Sequence, residues 1–130
     1  MPPIIVARSE KSFTIQLEVP YSNAMLDGEE KLQESLNTAG ALATEEILQQ
    51  FDTDGSIIEI GGVRWYPHSE REAKEFQSPY GPVVVERYVY QTSQGGKRFV
   101  PLDQDARIIG TSTPKFAKDR KSTRLNSSHL

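Results

Sequence analysis

The spacing of apolar side chains changes from helical in the first half of the chain to strand-like in the second, and this change constrains the fold most. Within residues 25–51 apolar side chains return every three or four positions, the stripe of an amphipathic helix. Residues 13–19 alternate apolar and polar side chains up to Pro20, which predicts a half-buried strand. The helical stripe consists of Met25, Leu32, Leu36, Ala39, Ala43, Ile47 and Phe51.

Two residues inside this stripe favour a break in the helix. Gly40 costs about 1 kcal/mol relative to Ala in a helix interior. Thr44, followed by two glutamates, is suited to cap a second helix start. We therefore predict a helix pair with a break near residues 37–40, and the alternative is one long helix.

Short alternating runs separated by glycine-containing turns follow. Residues 57–66 predict a hairpin about Gly61-Gly62. The polar residues 68–75 predict a surface link, and residues 83–91 predict a strand whose return partner ends at Pro101. Together these features predict an α+β fold, in which an N-terminal strand and helix pair are followed by a small antiparallel β-hairpin sheet.

The last residues, DRKSTRLNSSHL (119–130), have no helical or strand period. With suitable codons they read as a translation of the adapter ligated in short-read sequencing libraries. We interpret 119–130 as an artefactual disordered tail and expect the natural chain to continue past Lys118. The alternatives are an ordinary disordered basic tail or an arm that binds phosphate. The predicted divisions are 1–75, 76–112, the start of a truncated helical segment at 113–118, and the tail.

Charge is distributed unevenly along the chain. Of 15 basic and 18 acidic residues, the tail holds three and one, which leaves 12 and 17 in residues 1–118. Residues 1–60 carry three basic and 11 acidic groups, whereas residues 61–118 carry nine and six. A polyanion would therefore prefer the second half.

Composition excludes several kinds of chemistry. The chain has no cysteine, which removes disulfides, zinc–thiolate sites and thiol nucleophiles and fits a cytoplasmic location. No apolar run approaches the roughly 20 residues of a membrane span, and the N-terminus lacks the basic flank of a signal peptide.

Candidates for catalysis or metal binding are few. His68 is the only histidine outside the tail, and paired carboxylates occupy positions suited to helix caps and loops. The DTDG segment (52–55) fails as a calcium loop, because aligning its glycine places Gln50 and Gly61 at ligand positions; a turn is the better interpretation. We predict no catalytic residue, no metal site and no cofactor in this chain.

A set of cations in the second half is the candidate DNA-binding surface. Basic groups interleaved with aromatics can follow a phosphate backbone and stack on bases. The alternative is that the aromatics (Tyr88, Tyr90 and Phe99) pack the sheet and the cations are merely solvated. The candidate DNA-binding residues are Arg87, Lys97, Arg98, Arg107 and Lys115.

Residues 76–118, FQSPYGPVVVERYVYQTSQGGKRFVPLDQDARIIGTSTPKFAK, carry an ordered series of short motifs. The series is Tyr-Gly, Val-Glu-Arg, Tyr-Gln, Gly-Gly-Lys, Pro-Leu-x-x-x-Ala-Arg-Ile and Thr-Pro-x-Phe-Ala-Lys. It resembles the N-terminal region of bacterial insertion-sequence transposases of the ISKra-four type. Residues 36–62 resemble the region that precedes it in that family, so the resemblance covers roughly residues 13–118.

The resemblance implies a longer parent, a DDE-type transposase with an RNase H-like fold that cuts and joins DNA. Its carboxylates would hold divalent ions such as Mg²⁺ and would lie beyond Lys118; none of the acids present matches them. This region would then be a non-catalytic fragment that grips transposon ends or a partner subunit, possible partners being DNA and further copies of the chain. Members often have Cys where Val100 stands, which argues against a thiolate role.

A second hypothesis, from another functional class, is a small acidic protein-interaction or self-association module. It rests on the excess of 11 acidic over three basic residues in residues 1–60 and on the apolar stripe in the same segment.

Overall fold

The structure, a computed structural model, describes residues 2–120 and combines helices with antiparallel sheets, which confirms the α+β prediction. The strands are β1 (Ile4–Arg8), β2 (Phe13–Gln16), β3 (Ile58–Ile60), β4 (Val63–Pro67), β5 (Glu72–Ser78), β6 (Gly81–Arg87), β7 (Tyr90–Thr92) and β8 (Gly95–Phe99). The helices are α1 (Met25–Gln49), α2 (Pro101–Asp105) and the helical residues 114–120, here α3.

The strands form three antiparallel groups: the β1–β2 pair, the β5–β6 pair, and a sheet of order β3-β4-β7-β8. The turn between β3 and β4 has positive φ at Gly61 (57°) and Gly62 (80°), the conformation of a tight hairpin turn. The predicted Gly-Gly hairpin is therefore confirmed.

The core lies where α1 and α2 meet the β5–β6 hairpin. β5 and β6 pair over their full length, from Glu72↔Arg87 to Ser78↔Gly81, and α1 packs on β6. Strand alternation explains which side chains β6 contributes, because every second residue points inward. The buried apolar cluster consists of Leu48, Phe76, Val83, Val85, Leu102 and Ala106.

α1 is one continuous helix, so the predicted break near residues 37–40 was wrong. Gly40 lies against the ring of Tyr80, and a Cβ built on Gly40 would lie 2.3 Å from that ring. The glycine therefore permits close packing on the helix rather than ending it. Thr44 caps nothing here, since its hydroxyl donates to the Gly40 carbonyl oxygen at 2.8 Å.

Strand limits differ from the predictions in several places. β5 begins inside the predicted surface link, and β1, which was not predicted, pairs with β2. β2 ends at Gln16 although alternation continued to Val19. The segment after α1 forms the expected turn, where the Ser56 N–H donates to Asp54 Oδ1 at 2.9 Å.

The predicted strand 83–91 is interrupted at residues 88 and 89. The Tyr88 N–H donates to the Asp52 carboxylate, 3.2 Å from Oδ1, and the Val89 carbonyl accepts from the His68 N–H at 2.8 Å. The interruption shifts the alternation, so Val89 and Tyr90 are both fully buried. Tyr90 was predicted on the face opposite Val89.

The predicted divisions fall differently on the observed elements. The boundary between 75 and 76 lies within β5, and α3 continues through Asp119 and Arg120. The rest of the predicted tail, residues 121–130, lies outside the described residues. No helix within residues 2–120 has the length and apolar character that crossing a bilayer requires.

An ion pair joins the β1–β2 hairpin to α1 and makes a pH-dependent prediction. Arg8 donates from Nε and Nη2 to the two carboxylate oxygens of Glu46, each at 2.9 Å. These hydrogen bonds hold the pKa of Glu46 below its ordinary value. A lowered pKa in the folded state stabilises docking above the ordinary carboxyl pKa, and this stabilisation is lost as pH falls through the lowered value.

We expect the NMR amide signals of β1 and β2 to shift together as the pH falls through the lowered pKa of Glu46. Glu46→Gln should remove this step, whereas Glu10→Gln, an exposed control, should leave it. A step that persists in Glu46→Gln would assign the pH response to another group.

Candidate nucleic-acid interface

Arg87, the first candidate, lies in the interior rather than on a surface. It is 7% exposed, and its Nε lies 3.3 Å from Asp103 Oδ1. The two atoms are close, but their alignment does not make a hydrogen bond, so the attraction is between charges. Because β6 alternation turns Arg87 inward, its guanidinium is not available to a polyanion in this structure.

Lys97 and Arg98 are neighbours on the exposed strand β8. Positive φ at Gly95 (75°) and Gly96 (84°) makes the tight turn that presents this strand. Arg98 forms an ion pair with Glu72 of β5, and this contact is the first cause of a lowered pKa for Glu72. Lys97 is exposed and, among residues 2–120, takes part in no ion pair.

Glu72 also joins Arg98 to a polar network on the same sheet. His68 Nδ1 lies 3.2 Å from Glu72 Oε2, and His68 Nε2 lies 3.0 Å from Gln91 Oε1. The Gln91 amide donates to the Gly96 carbonyl oxygen at 2.8 Å. His68 therefore contacts a side chain of β5 and a side chain of β7 through its two ring nitrogens.

Arg107 follows α2 in a strained backbone conformation. Its φ is 54°, in the left-handed region where glycine usually ends a helix, and its side chain is exposed. Its N–H donates to the Gln104 carbonyl at 3.1 Å. An arginine at this position costs about 1 kcal/mol of stability relative to glycine. The chain therefore carries a cation where the backbone conformation favours glycine.

Lys115 is brought near the β5–β6 hairpin by the segment before α3. The Gln77 N–H donates to the Thr111 carbonyl at 2.8 Å, and the Thr113 N–H donates to the Gln77 carbonyl at 2.9 Å. Lys115 itself is exposed on α3 and lies 3.1 Å from Asp119 Oδ1, one turn away. An exposed pair of this kind contributes little to stability, so the lysine remains available to another anion.

The three aromatics between the cations are used in packing. Tyr90 is fully buried, and its hydroxyl donates to the Ser56 carbonyl at 2.8 Å. Tyr88 lies under the guanidinium of Arg71 at 4.8 Å, and Phe99 meets Trp65 edge-on at 5.6 Å. Base stacking on Tyr90 is therefore blocked, as the packing alternative anticipated.

A metal centre does not form from the part of the chain described. Among residues 2–120, no three His, Asp or Glu side chains are grouped as ligands. These residues therefore do not fit the divalent-ion site that the resemblance implies for a complete transposase.

Sequence reasoning missed two acidic side chains that organise this half of the molecule. The Asp52 side chain is 2% exposed and lies 3.7 Å from Arg71 Nε. Asp103 Oδ2 lies 3.5 Å from Lys74 Nζ, in addition to the contact with Arg87. Each acid follows an ordinary turn or helix signal. Only the tertiary fold shows that Asp52 pairs with Arg71, which directly precedes β5, and that Asp103 pairs with cations of β5 and β6.

No family model, no curated protein and no solved structure matches this chain.

Proposed function

We propose that this chain is the N-terminal, non-catalytic part of an insertion-sequence transposase, and that it contributes DNA contact or assembly to DNA transposition, a form of DNA recombination that moves a mobile element. The proposal rests on the resemblance of residues 76–118. The protein would act on DNA in the cytoplasm. The metal-dependent chemistry would belong to the part of the parent transposase beyond Lys118.

The exposed cations of the second half are the observation that carries DNA contact. Lys97, Arg107 and Lys115 are exposed on β8, after α2 and on α3, and Arg98 adds a fourth charge partly neutralised by Glu72. Arg87 takes a structural role instead. The proposal is thus a contact with the phosphate backbone, which requires exposed cations and no aromatic platform.

Arg107 supports the assignment of DNA contact, because its left-handed backbone conformation is unfavourable for a residue that carries a side chain. Glycine at this position would adopt the left-handed backbone without strain. The arginine therefore does not stabilise the local backbone conformation. An exposed cation kept at a strained position is suited to a binding role.

Removing three exposed cations tests the proposal. For Lys97→Ala with Arg107→Gly and Lys115→Ala, we expect weaker binding to duplex DNA of transposon ends in gel shifts. Each lost phosphate contact reduces the slope of log affinity against log salt by about 0.9, so the slope should become shallower by about 2–3. Glycine at residue 107 relaxes the backbone, so unfolding does not explain a loss.

The matched control removes three cations elsewhere, by Lys11→Ala, Lys31→Ala and Arg64→Ala, with the same change in net charge. This variant should bind with nearly the original salt slope. Equal affinity and slope for the two triple variants would refute the assignment of DNA contact to these residues.

A further inference from the structure

The two ring contacts of His68 together require more protons than a neutral imidazole carries. Nδ1 lies 3.2 Å from Glu72 Oε2 on β5, and Nε2 lies 3.0 Å from Gln91 Oε1 on β7. Both of these oxygens accept hydrogen bonds, so each contact needs an N–H on the ring. A neutral imidazole has one N–H and an imidazolium has two. The observed arrangement is therefore complete only when His68 is protonated.

The orientation of the Gln91 amide is set by its other contact. Gln91 Nε2 donates to the Gly96 carbonyl oxygen at 2.8 Å, and a backbone carbonyl can only accept. The NH2 group must therefore face Gly96, which leaves Oε1 facing the His68 ring. Exchanging the two ends of the amide would place Oε1 against the carbonyl oxygen, two acceptors with no proton between them. The hydrogen bonds thus assign one orientation to this amide.

One charged side chain contacts the His68 ring among residues 2–120. Glu72 approaches Nδ1 from β5, and its other oxygen forms an ion pair with Arg98 of β8. These contacts, with Arg98 as the larger cause, hold the pKa of Glu72 below its ordinary value, so Glu72 is anionic in the pH range where histidines ionise. The His68 side chain is 37% exposed, so its ring can exchange protons with solvent.

The other titratable groups near His68 are turned elsewhere. Arg71 lies 3.7 Å from Asp52 Oδ2, and the exposed Glu70 forms no ion pair within the described part of the chain. β4 and β7 contribute the phenol of Tyr66 and the amide of Gln91, which are opposite each other in the register. A change of charge on the His68 ring is therefore felt first by its two direct contacts.

Loss of one ring proton would affect the two contacts differently. The remaining N–H would stay with Glu72, because hydrogen bonds to a charged acceptor are stronger. The bare Nε2 would then face Gln91 Oε1 at 3.0 Å, and two acceptors without a proton between them repel each other. Rotation of the Gln91 amide relieves this contact. It brings the NH2 group to the ring and removes it from the Gly96 carbonyl oxygen.

We propose that His68, Gln91 and Gly96 form a pH-sensitive latch on the turn between β7 and β8. With His68 protonated, the Gln91 amide donates to Gly96 and the latch is closed; with His68 neutral, the amide turns to the ring and the latch opens. Gly96 directly precedes Lys97, so the latch controls the turn that presents this exposed lysine. The latch acts on conformation and does not depend on DNA contact by Lys97.

NMR spectroscopy of the full chain observes both ends of the latch. The ring signals of His68 report its protonation and are distinguished from those of His129, the second histidine, by a His129→Gln variant. The Lys97 N–H belongs to the same peptide group as the Gly96 carbonyl and reports its hydrogen bond. We expect the Lys97 amide signal to shift with the same pH midpoint as the His68 ring. Different midpoints, or a Lys97 signal that does not shift, would overturn the proposal.

Two glutamines of the same region provide a matched pair of variants. Gln91→Leu removes the amide but leaves His68 and Glu72 in place, so we expect the ring to titrate while the Lys97 signal no longer follows it. Gln94→Leu replaces an exposed glutamine of the same turn and should leave the Lys97 step unchanged. A step that persists in Gln91→Leu, or that is lost equally in both variants, would contradict the role of the amide.

His68→Gln tests the proton source itself. This variant should show no step at Lys97 in the pH range where the original ring ionises, with unchanged far-UV circular dichroism as the check on folding. A step of the original size in His68→Gln would assign the pH response to another group and overturn the latch.

Discussion

Asp103→Asn is expected to lower the free energy of unfolding by about 2–4 kcal/mol. Removing one partner of a buried ion pair leaves the other charge uncompensated, which costs about 3–5 kcal/mol when both are fully buried. The Asp103 side chain is 26% exposed, which reduces the cost. Asn keeps the shape of Asp103 but no longer neutralises Arg87 or Lys74, whose cationic groups lie 3.3 and 3.5 Å from its carboxylate.

Arg87→Met is the matched variant, and we expect it to cost about 1 kcal/mol or less. Asp103 would keep Lys74 as a partner and would remain partly hydrated, whereas Met retains much of the apolar stem of Arg87. Urea unfolding followed by the fluorescence of Trp65, the single tryptophan, measures both variants.

The ratio of these two effects tests the role assigned to Arg87. An equal or larger loss for Arg87→Met would contradict the view that Asp103 neutralises two cations. In gel shifts, Arg87→Met should bind DNA as the original chain does, because this arginine is interior; a loss comparable to that of the triple variant would return it to the DNA-binding set.

Local signals predicted the turns well and the long-range packing poorly. Gly61-Gly62 required no knowledge of the rest of the fold, because tight hairpins need positive φ at both positions. Gly40 carried the same local signal of a break, yet α1 continues through it and Tyr80 occupies the space that a side chain would fill. Only the position of Tyr80 distinguishes the two glycines.

β5 was missed because its inward positions carry charge. Glu72, Lys74 and Phe76 share one side of the strand, and only Phe76 gives an apolar signal. Lys74 becomes compatible with that side through Asp103 and through the Phe76 ring, 5.4 Å from its Nζ. A period-two pattern of apolar residues cannot reveal a strand whose alternation is completed by ion pairs.

The candidate site was only partly predictable, because local polarity indicates an exposed side chain but does not indicate burial that depends on tertiary contacts. Exposed cations such as Lys97 and Lys115 follow from polarity and position, so sequence identified them. The burial of Tyr90 depends on the interruption at Tyr88, where Asp52 accepts the backbone N–H and changes the alternation. That contact joins residues 36 positions apart and has no local signature.

Phe76→Ala should lower the free energy of unfolding by about 3–5 kcal/mol, the cost of truncating a buried phenylalanine. Phe76 is fully buried at the centre of the core cluster, and Lys74 and Arg87 lie 5.4 and 6.0 Å from its ring centroid. Its loss removes apolar contacts and also the ring beneath two cations.

Leu36→Ala is the matched truncation on the apolar stripe, and we expect a change within about 0.5 kcal/mol, as at exposed positions generally. Alanine is also the best helix former, so no helical stability is lost. Chemical denaturation measures the free energy of unfolding of both variants. It thereby compares Leu36, on the stripe predicted to face the core, with Phe76 in the observed core. A cost above about 2 kcal/mol for Leu36→Ala would mean that the stripe is covered, either within the chain or by another copy. A large cost for Phe76→Ala together with a small cost for Leu36→Ala would place the stabilising core around Phe76, in the buried cluster, and not along the apolar stripe of α1.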